Sequence, residues 1–376
     1  MKKTAFALAA LAFIGTAAAQ STVQLWGVMD ADVAQFRQGG LSKTMVTSSG
    51  NAGSQIGFRG TEDLGGGMAA GYWLEASILN SNGGGLGGGG ALAFNRRSTV
   101  ELSGAFGEIR LGRDYTPSFI NHAVFDPFGT AGVATGSNIT VGGGANGVAG
   151  DNAATAVRAN NSIQYLWGFA PNGLAVAGKG VYLQLMYALP QNASGQPPLG
   201  DYRGVRVGYA QGPLNAALSY AQVNGAAYAA DAADAARGYS VYKLFNIGAA
   251  YDFGSVKLMA HVGTNDSDAP GTKYTHWGLG ATVPVGVGFI QASYNTVKQD
   301  NATSDGASQL GLGYVYNLSK TTALYAAAAS ISNKNNGTYT FGGSNGGNNP
   351  GLMTAFGAGQ SFGSGTGYSV GLRTIF

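Results

Sequence analysis

Hydrophobic and polar positions alternate with period two along almost the whole chain, as they do in strands with one apolar face. In TVQLWGVMDADV, Val23, Leu25, Met29, Ala31 and Val33 share one face, and Gln24, Trp26, Asp30 and Asp32 share the other. In RANNSIQYLW, Ile163, Tyr165 and Trp167 oppose Arg158, Asn160, Ser162 and Gln164. The same pattern recurs in Phe245/Ile247/Ala249/Tyr251/Phe253 and in Leu310/Leu312/Tyr314/Tyr316. About sixteen such segments can be marked, starting near residues 21, 51, 67, 93, 107, 157, 174, 203, 214, 238, 255, 273, 287, 308, 320 and 364.

The connectors alternate in length. Short ones (EDLGGG, SGAFG, APNG, QGP, DFGS, PVG, NLSK) interleave with long ones at 35–50, 80–92, 116–156, 189–202, 224–237, 265–272, 298–307 and 333–363. This predicts an all-β fold: a transmembrane antiparallel up-and-down barrel with tight turns at one rim and loops at the other. A closed barrel is the β structure a bilayer tolerates, because every backbone group is then paired within the chain. The last strand, GTGYSVGLRTIF, is expected to pair with the first and close the ring. Tyr368, Val370, Leu372 and Phe376 would then face outer-membrane lipid.

Parity sends the charges inward. Arg59, Arg97, Arg110, Arg158, Arg206, Lys257 and Arg373 fall opposite the apolar faces, as do Glu75, Glu101, Glu108, Asp30 and Asp252. On the lipid face an Arg at the bilayer midplane would cost about 2–4 kcal/mol. Lys243 has the outward parity of Phe245, which places it at a rim or subunit contact unless the register slips there. A barrel of this strand number leaves room for water. The loop at 116–156 is long and rich in Gly, Ala, Asn and Thr; it either lies on the surface or folds inward and narrows the channel.

Composition agrees. Charged residues make up only 10% of the chain, against about 25% in soluble domains. No apolar run after residue 20 is long enough for a membrane-spanning helix. There is no cysteine, hence no thiolate site or disulfide. Lys2 and Lys3, the run AFALAALAFIG and the small residues Ala17 and Ala19 read as a signal peptide at 1–19, cleaved before Gln20, rather than a cytosolic helix. Its removal leaves 19 Lys and Arg against 18 Asp and Glu, so nucleic acid is not an expected partner.

The stretches STVQLWGVMDADV, SQIGFRGTEDLGGGMAAGYWLE, FNRRSTVELSGAFGEIRLGRDYTP, RANNSIQY and GLRTIF resemble the general porins of Gram-negative bacteria, in their betaproteobacterial branch. They cover most of the first third of residues 20–376, one strand beyond it and the end; the middle matches only in its barrel pattern. The resemblance implies a homotrimeric sixteen-stranded outer-membrane channel for passive diffusion of ions and small hydrophilic solutes, with the third long loop folded inward. It also implies an arginine cluster facing that loop and favouring anions. Carried over by motif, that cluster has Arg96 or Arg97 from FNRR, and Arg158 from RANNS. Its third position falls at Gln55, where related sequences read Ser-Arg-Phe-Gly and this one reads SQIG. Parity favours Arg97 and the motif favours Arg96, so both are kept. The candidate pore-lining set is Arg96, Arg97, Arg110, Arg158, Gln55, Glu101 and, in the long loop, Asp126. Phe376 looks like part of the signal read by the outer-membrane assembly machinery.

No catalytic residue, metal or cofactor is expected. The G-x-S-x-G matches GGSNG and GQSFG, and the G-x-G-x-x-G match GGGANG, sit in Gly-rich loops without the strand–helix context such motifs need. His122, His261 and His276 lack metal-site spacing; His261 and His276 are expected to be solvated in the lumen. Asp266 and Asp268 are read as a hydrated outer loop in preference to a Ca²⁺ site. Two other functions are weighed: a substrate-selective channel of the same fold for small organic anions, and a Gly-rich extracellular adhesin.

Overall fold

The structure is a computed structural model that describes residues 22–85, 92–140, 157–190, 192–226, 232–268, 272–341 and 363–376. The signal-peptide segment with its cleavage point, the GGGANG and GGSNG matches and most of GQSFG lie outside the described residues. The strand segments are β1 (Thr22–Gln38), β2 (Leu41–Ser48), β3 (Gln55–Gly65), β4 (Met68–Ser77), β5 (Arg97–Gly104), β6 (Gly107–Tyr115), β7 (Arg158–Trp167), β8 (Gly180–Ala188) and β9 (Tyr202–Gln211). They continue with β10 (Leu214–Ala226), β11 (Tyr239–Asp252), β12 (Lys257–Ser267), β13 (Tyr274–Val285), β14 (Gly288–Gln299), β15 (Gly306–Asn317), β16 (Thr322–Lys334) and β17 (Gly365–Ile375).

Every neighbouring pair is antiparallel and the sheet closes on itself through β1 and β17. Their register runs from Val28 opposite Ile375 to Gln38 opposite Gly365. The amide of Phe376 donates to Gly27 O at 3.1 Å, and Gly27 N donates to Phe376 O at 2.9 Å. The outward face is apolar: Leu25, Val100, Leu111, Ile163, Ile247, Leu279, Leu312 and Val370 are all exposed. Lys243 does face outward, opposite Asp266 on β12 at the start of β11, and no register slip is needed.

Seventeen segments make sixteen barrel strands, because β2 and β3 both pair with β1 and together form one strand. The expected long connector at 35–50 is therefore corrected. Gly39 and Gly40, both at positive φ, form a two-residue hairpin joining Gln38 to Leu41. That turn needs φ > 0 at both central positions, which glycine adopts freely. The real interruption is at Ser49–Ser54, and Asp30 holds it. Asp30 Oδ2 accepts from Asn51 N (2.9 Å) and Ala52 N (2.6 Å), and Asp30 Oδ1 accepts from Tyr325 OH (2.5 Å).

After β6 the segment from residue 116 starts a helix, α1 (Pro117–Val124), where no helix is anticipated from its composition. Thr116 caps it, accepting from Phe119 N at 3.3 Å, and Pro117 fits the first turn because it has no N–H to satisfy there. A short turn of helix, α2 (Ser137–Thr140), follows. This segment bonds to polar side chains of the wall. Asn246 Nδ2 donates to Ser118 O at 3.1 Å, Arg206 Nε to Asn121 Oδ1 at 3.0 Å, and Gln309 Nε2 to Thr135 O at 2.7 Å. Phe128, Val133, Ala134 and Ile139 bury themselves with Phe36, Val297, Ile331 and Phe341. The wall positions that this segment packs against are thus apolar, which parity alone does not reveal.

One glycine sets a local geometry that the site depends on. Gly112 has φ +130°, and a Cβ there would lie 2.1 Å from Ser98 O. The β6–β7 register shifts between Gly112 and Asp114. Replacing Gly112 with Val is expected to force β5 and β6 apart and destabilise the folded barrel by about 2 kcal/mol or more. A lower urea midpoint of the detergent-folded protein would register this; an unchanged midpoint would refute it.

Candidate functional site: two arginine clusters and a histidine cluster

β5, β6 and β7 bring the candidate charges into two separate groups. The first lies towards the tight β5–β6 turn. Arg97 Nη2 donates to Glu101 Oε2 at 2.7 Å, and its Nε lies 3.5 Å from Asp114 Oδ2. Arg110 pairs with Glu108, with Asp114 Oδ2 at 3.2 Å and with Glu101 Oε2 at 3.4 Å. Both guanidinium groups also donate to Gly173 O, at 3.2 Å and 2.6 Å, so the β7–β8 connector seals them in. Arg97 is 0% exposed. Two arginines are matched here by three acids, and neither arginine is open to a passing solute.

The second group lies where β5 begins, β6 ends and β7 begins, next to the start of α1. Arg96 Nη2 and Arg158 Nη2 both donate to Tyr115 OH, at 2.6 Å and 2.7 Å. Arg158 stacks over the Tyr115 ring at 4.3 Å. Arg96 Nε also pairs with Glu75 Oε1 at 2.5 Å. Arg113, at the bulge, donates to Asn95 O at 2.7 Å and to Asn160 Oδ1, and is near enough to Arg158 to be repelled by it. Three guanidinium groups therefore gather around Tyr115 with one carboxylate, Glu75, bonded among them.

Motif and parity thus pick out different things. Arg96 joins Arg158, while Arg97, Arg110 and Glu101 form the sealed network. Arg113 and Tyr115 are missed by alternation, because the bulge at Gly112 breaks the count; the stretch LGRDYTP was the available signal. Gln55 stands opposite Ser77, whose amide bonds Asn95 Oδ1 at 3.1 Å, so it is one strand removed from Arg96. Asp126 organises its own loop instead of lining open space. Its Oδ1 accepts from Phe128 N at 2.9 Å, and its Oδ2 from Thr135 Oγ1 (2.7 Å) and Gly136 N (3.0 Å). Asp268 pairs with Arg237 at 2.5 Å.

The histidines are where the sequence reading is corrected most. His261 and His276 are not solvated: they are buried, and they meet His122 of α1. Burial, together with the two neighbouring imidazoles, holds His122 well below the usual histidine range.

With the geometry in place, the chain can be compared with known proteins. A family model described as Gram-negative porin matches residues 5–337. This chain belongs to the Gram-negative porin family. Outer membrane porin protein 32 of Delftia acidovorans is 39% identical over 90% of this chain and 92% of its own length. An outer membrane porin protein of Bordetella pertussis is 30% identical over 87% and 93%. Among solved structures, the anion-selective porin from Comamonas acidovorans superposes with a TM-score of 0.78 at 35% identity, covering 95% of this chain and all of that one. The porin is an outer-membrane β-barrel channel.

In this porin the sealed network is predicted to be a stability element. Breaking a buried pair leaves an uncompensated charge, at a cost of about 3–5 kcal/mol. Arg97→Gln should therefore lower the urea midpoint of the folded barrel strongly, and a wild-type midpoint would contradict the assignment.

Proposed function

We propose that the barrel is a water-filled channel for passive diffusion of ions and small hydrophilic solutes, with a weak anion preference set by Arg96, Arg113 and Arg158. The observation that carries the preference is the excess of guanidinium over carboxylate around Tyr115, beside the segment that bonds across to the far wall. That segment, 116–140, is taken to lie in the water path and to narrow it, as the first part of a constriction loop at 116–156. The Comamonas porin that resembles this chain is described as anion-selective. Passive diffusion needs no bond to be made or broken, so no residue is given a catalytic role. Residues 1–19 are read as a cleaved signal peptide, residues 20–376 as the barrel domain, and the assembly as a homotrimer.

Low-dielectric walls focus the field of such a cluster on the pore, and salt screens it over about 8 Å at physiological ionic strength. The preference should therefore be mild and fade as salt rises. A unit charge about 8 Å from an ion in water contributes about 0.5 kcal/mol, roughly twofold in permeability. Under a KCl gradient in a planar bilayer, the wild type should conduct in steps of three with a reversal potential of anionic sign. Arg96→Gln with Arg158→Gln should move that potential towards cations, and Gln55→Arg should move it the other way. If neither moves it, selectivity is set elsewhere.

Phe376 is read as part of the assembly signal. Its ring would collide with a Cβ at Gly27, 2.4 Å away, so the two positions also fit together at the closing seam. Deleting Phe376 should lower the amount of barrel in the outer membrane severalfold while leaving single-channel conductance unchanged. Wild-type levels in outer-membrane fractions would remove that role.

A further inference from the structure

The chain contains three histidines, from three separate parts of the sequence, and all three meet at one point. His122 comes from α1, His261 from β12 and His276 from β13. They are 2%, 6% and 2% exposed. One ring nitrogen from each lies within 4.8 Å of the others, and the ring centroids are 4.7, 5.7 and 5.9 Å apart.

Their hydrogen bonds leave one atom type unused. All three Nδ1 atoms are buried without a hydrogen-bond partner. The partners that do exist orient the rings. Thr140 Oγ1 lies 3.0 Å from His122 Nε2 and 3.0 Å from Gly136 O. His261 Nε2 lies 3.1 Å from Asn295 Oδ1. A buried ring nitrogen without a partner is costly, and a bound ion would satisfy one on each ring.

The wall is shaped around the rings. His261 sits opposite Gly278 and His276 opposite Gly263 across the β12–β13 pair. A Cβ at Gly278 would lie 2.3 Å from His261 Nε2, and one at Gly263 would lie 2.6 Å from His276 Cε1. A cavity of about 20 Å³ adjoins His122 and His276, lined also by Ser118, Asn246 and Asn265; that is room for about one water.

We propose that His122, His261 and His276 bind one divalent late transition-metal ion of the zinc class through Nδ1, with water in a fourth position. Three imidazoles are a fitting donor set for such an ion, and the Nε2 contacts with Thr140 and Asn295 are of the outer-shell kind that ligating histidines make. Nitrogens on a tetrahedral zinc at about 2.0–2.1 Å lie about 3.3 Å apart, so modest ring rotations close the set. The ion would fasten α1 to β12 and β13.

The test uses tag-free, detergent-folded full-length porin stripped with EDTA. Zn²⁺ retained after gel filtration is measured by metal analysis, and a parallel Co²⁺ titration is followed by visible absorption. About one zinc per chain, an intense tetrahedral cobalt spectrum, and at least tenfold weaker binding in His122→Ala and in His261→Gln are expected. No retained zinc and no cobalt spectrum in the wild type would overturn the proposal without any variant. So would undiminished retention in folded variants, which would place the ion on carboxylates.

Discussion

A bilayer offers no hydrogen bonds to a peptide group, and this one constraint organises the whole molecule. Each strand must be paired on both edges, so the sheet must return to its beginning. Here β17 does this by lying along β1 from Gln38 to Val28, after which Phe376 and Gly27 exchange backbone bonds. Residues 22–28 of β1 then pair with β3 instead of β2, and the six residues between those segments are tied down by the carboxylate of Asp30. The seam is thus built from both ends of the chain and from a polar group buried just inside it.

Once the ring is closed, inside and outside obey opposite rules. Outward side chains meet lipid and need only be apolar, which is why they follow a simple alternation. Inward side chains must satisfy each other or water, and they do so in layers. Towards the short turns, Arg97 and Arg110 are neutralised by three acids and capped by the β7–β8 connector. Further along, Arg96 and Arg158 share the hydroxyl of Tyr115, with Arg113 close by. Above them the segment from Thr116 to Thr140 exchanges hydrogen bonds with β9, β11, β14 and β15 and buries its apolar residues against the same wall. Neighbouring arginines therefore differ in their surroundings: Arg97 is enclosed with Glu101 and Asp114, whereas Arg96 pairs with Glu75 and shares the Tyr115 hydroxyl with Arg158.

Much of this was legible in the residues, for physical reasons that also mark its limits. Period-two alternation reports which face of a strand meets lipid, because side chains on a pleated strand point to alternate sides. It therefore located most of the strands, the closure by the last strand and the inward charges, but it starts β8 near residue 174 after a tight APNG turn, where the strand begins at Gly180. It failed where the backbone leaves the regular pleat. Alternation reads the Gly39–Gly40 hairpin as part of a long loop, although two adjacent glycines are a turn signal. The bulge at Gly112 hid Arg113 and Tyr115, and Thr116–Pro117, a helix start, was absorbed into a Gly-rich stretch.

By itself, then, the sequence determined the barrel, its lipid face and which charged residues point inward, because lipid exposure constrains every second residue whatever the rest of the fold does. Which arginine meets which acid, and that His122, His261 and His276 touch, was decided only by tertiary structure. These contacts join residues far apart in the chain, from β5 to the β7–β8 connector and from α1 to β12 and β13. No local period encodes them, because their proximity depends on the curvature of the closed ring and on where the segment after β6 packs against it.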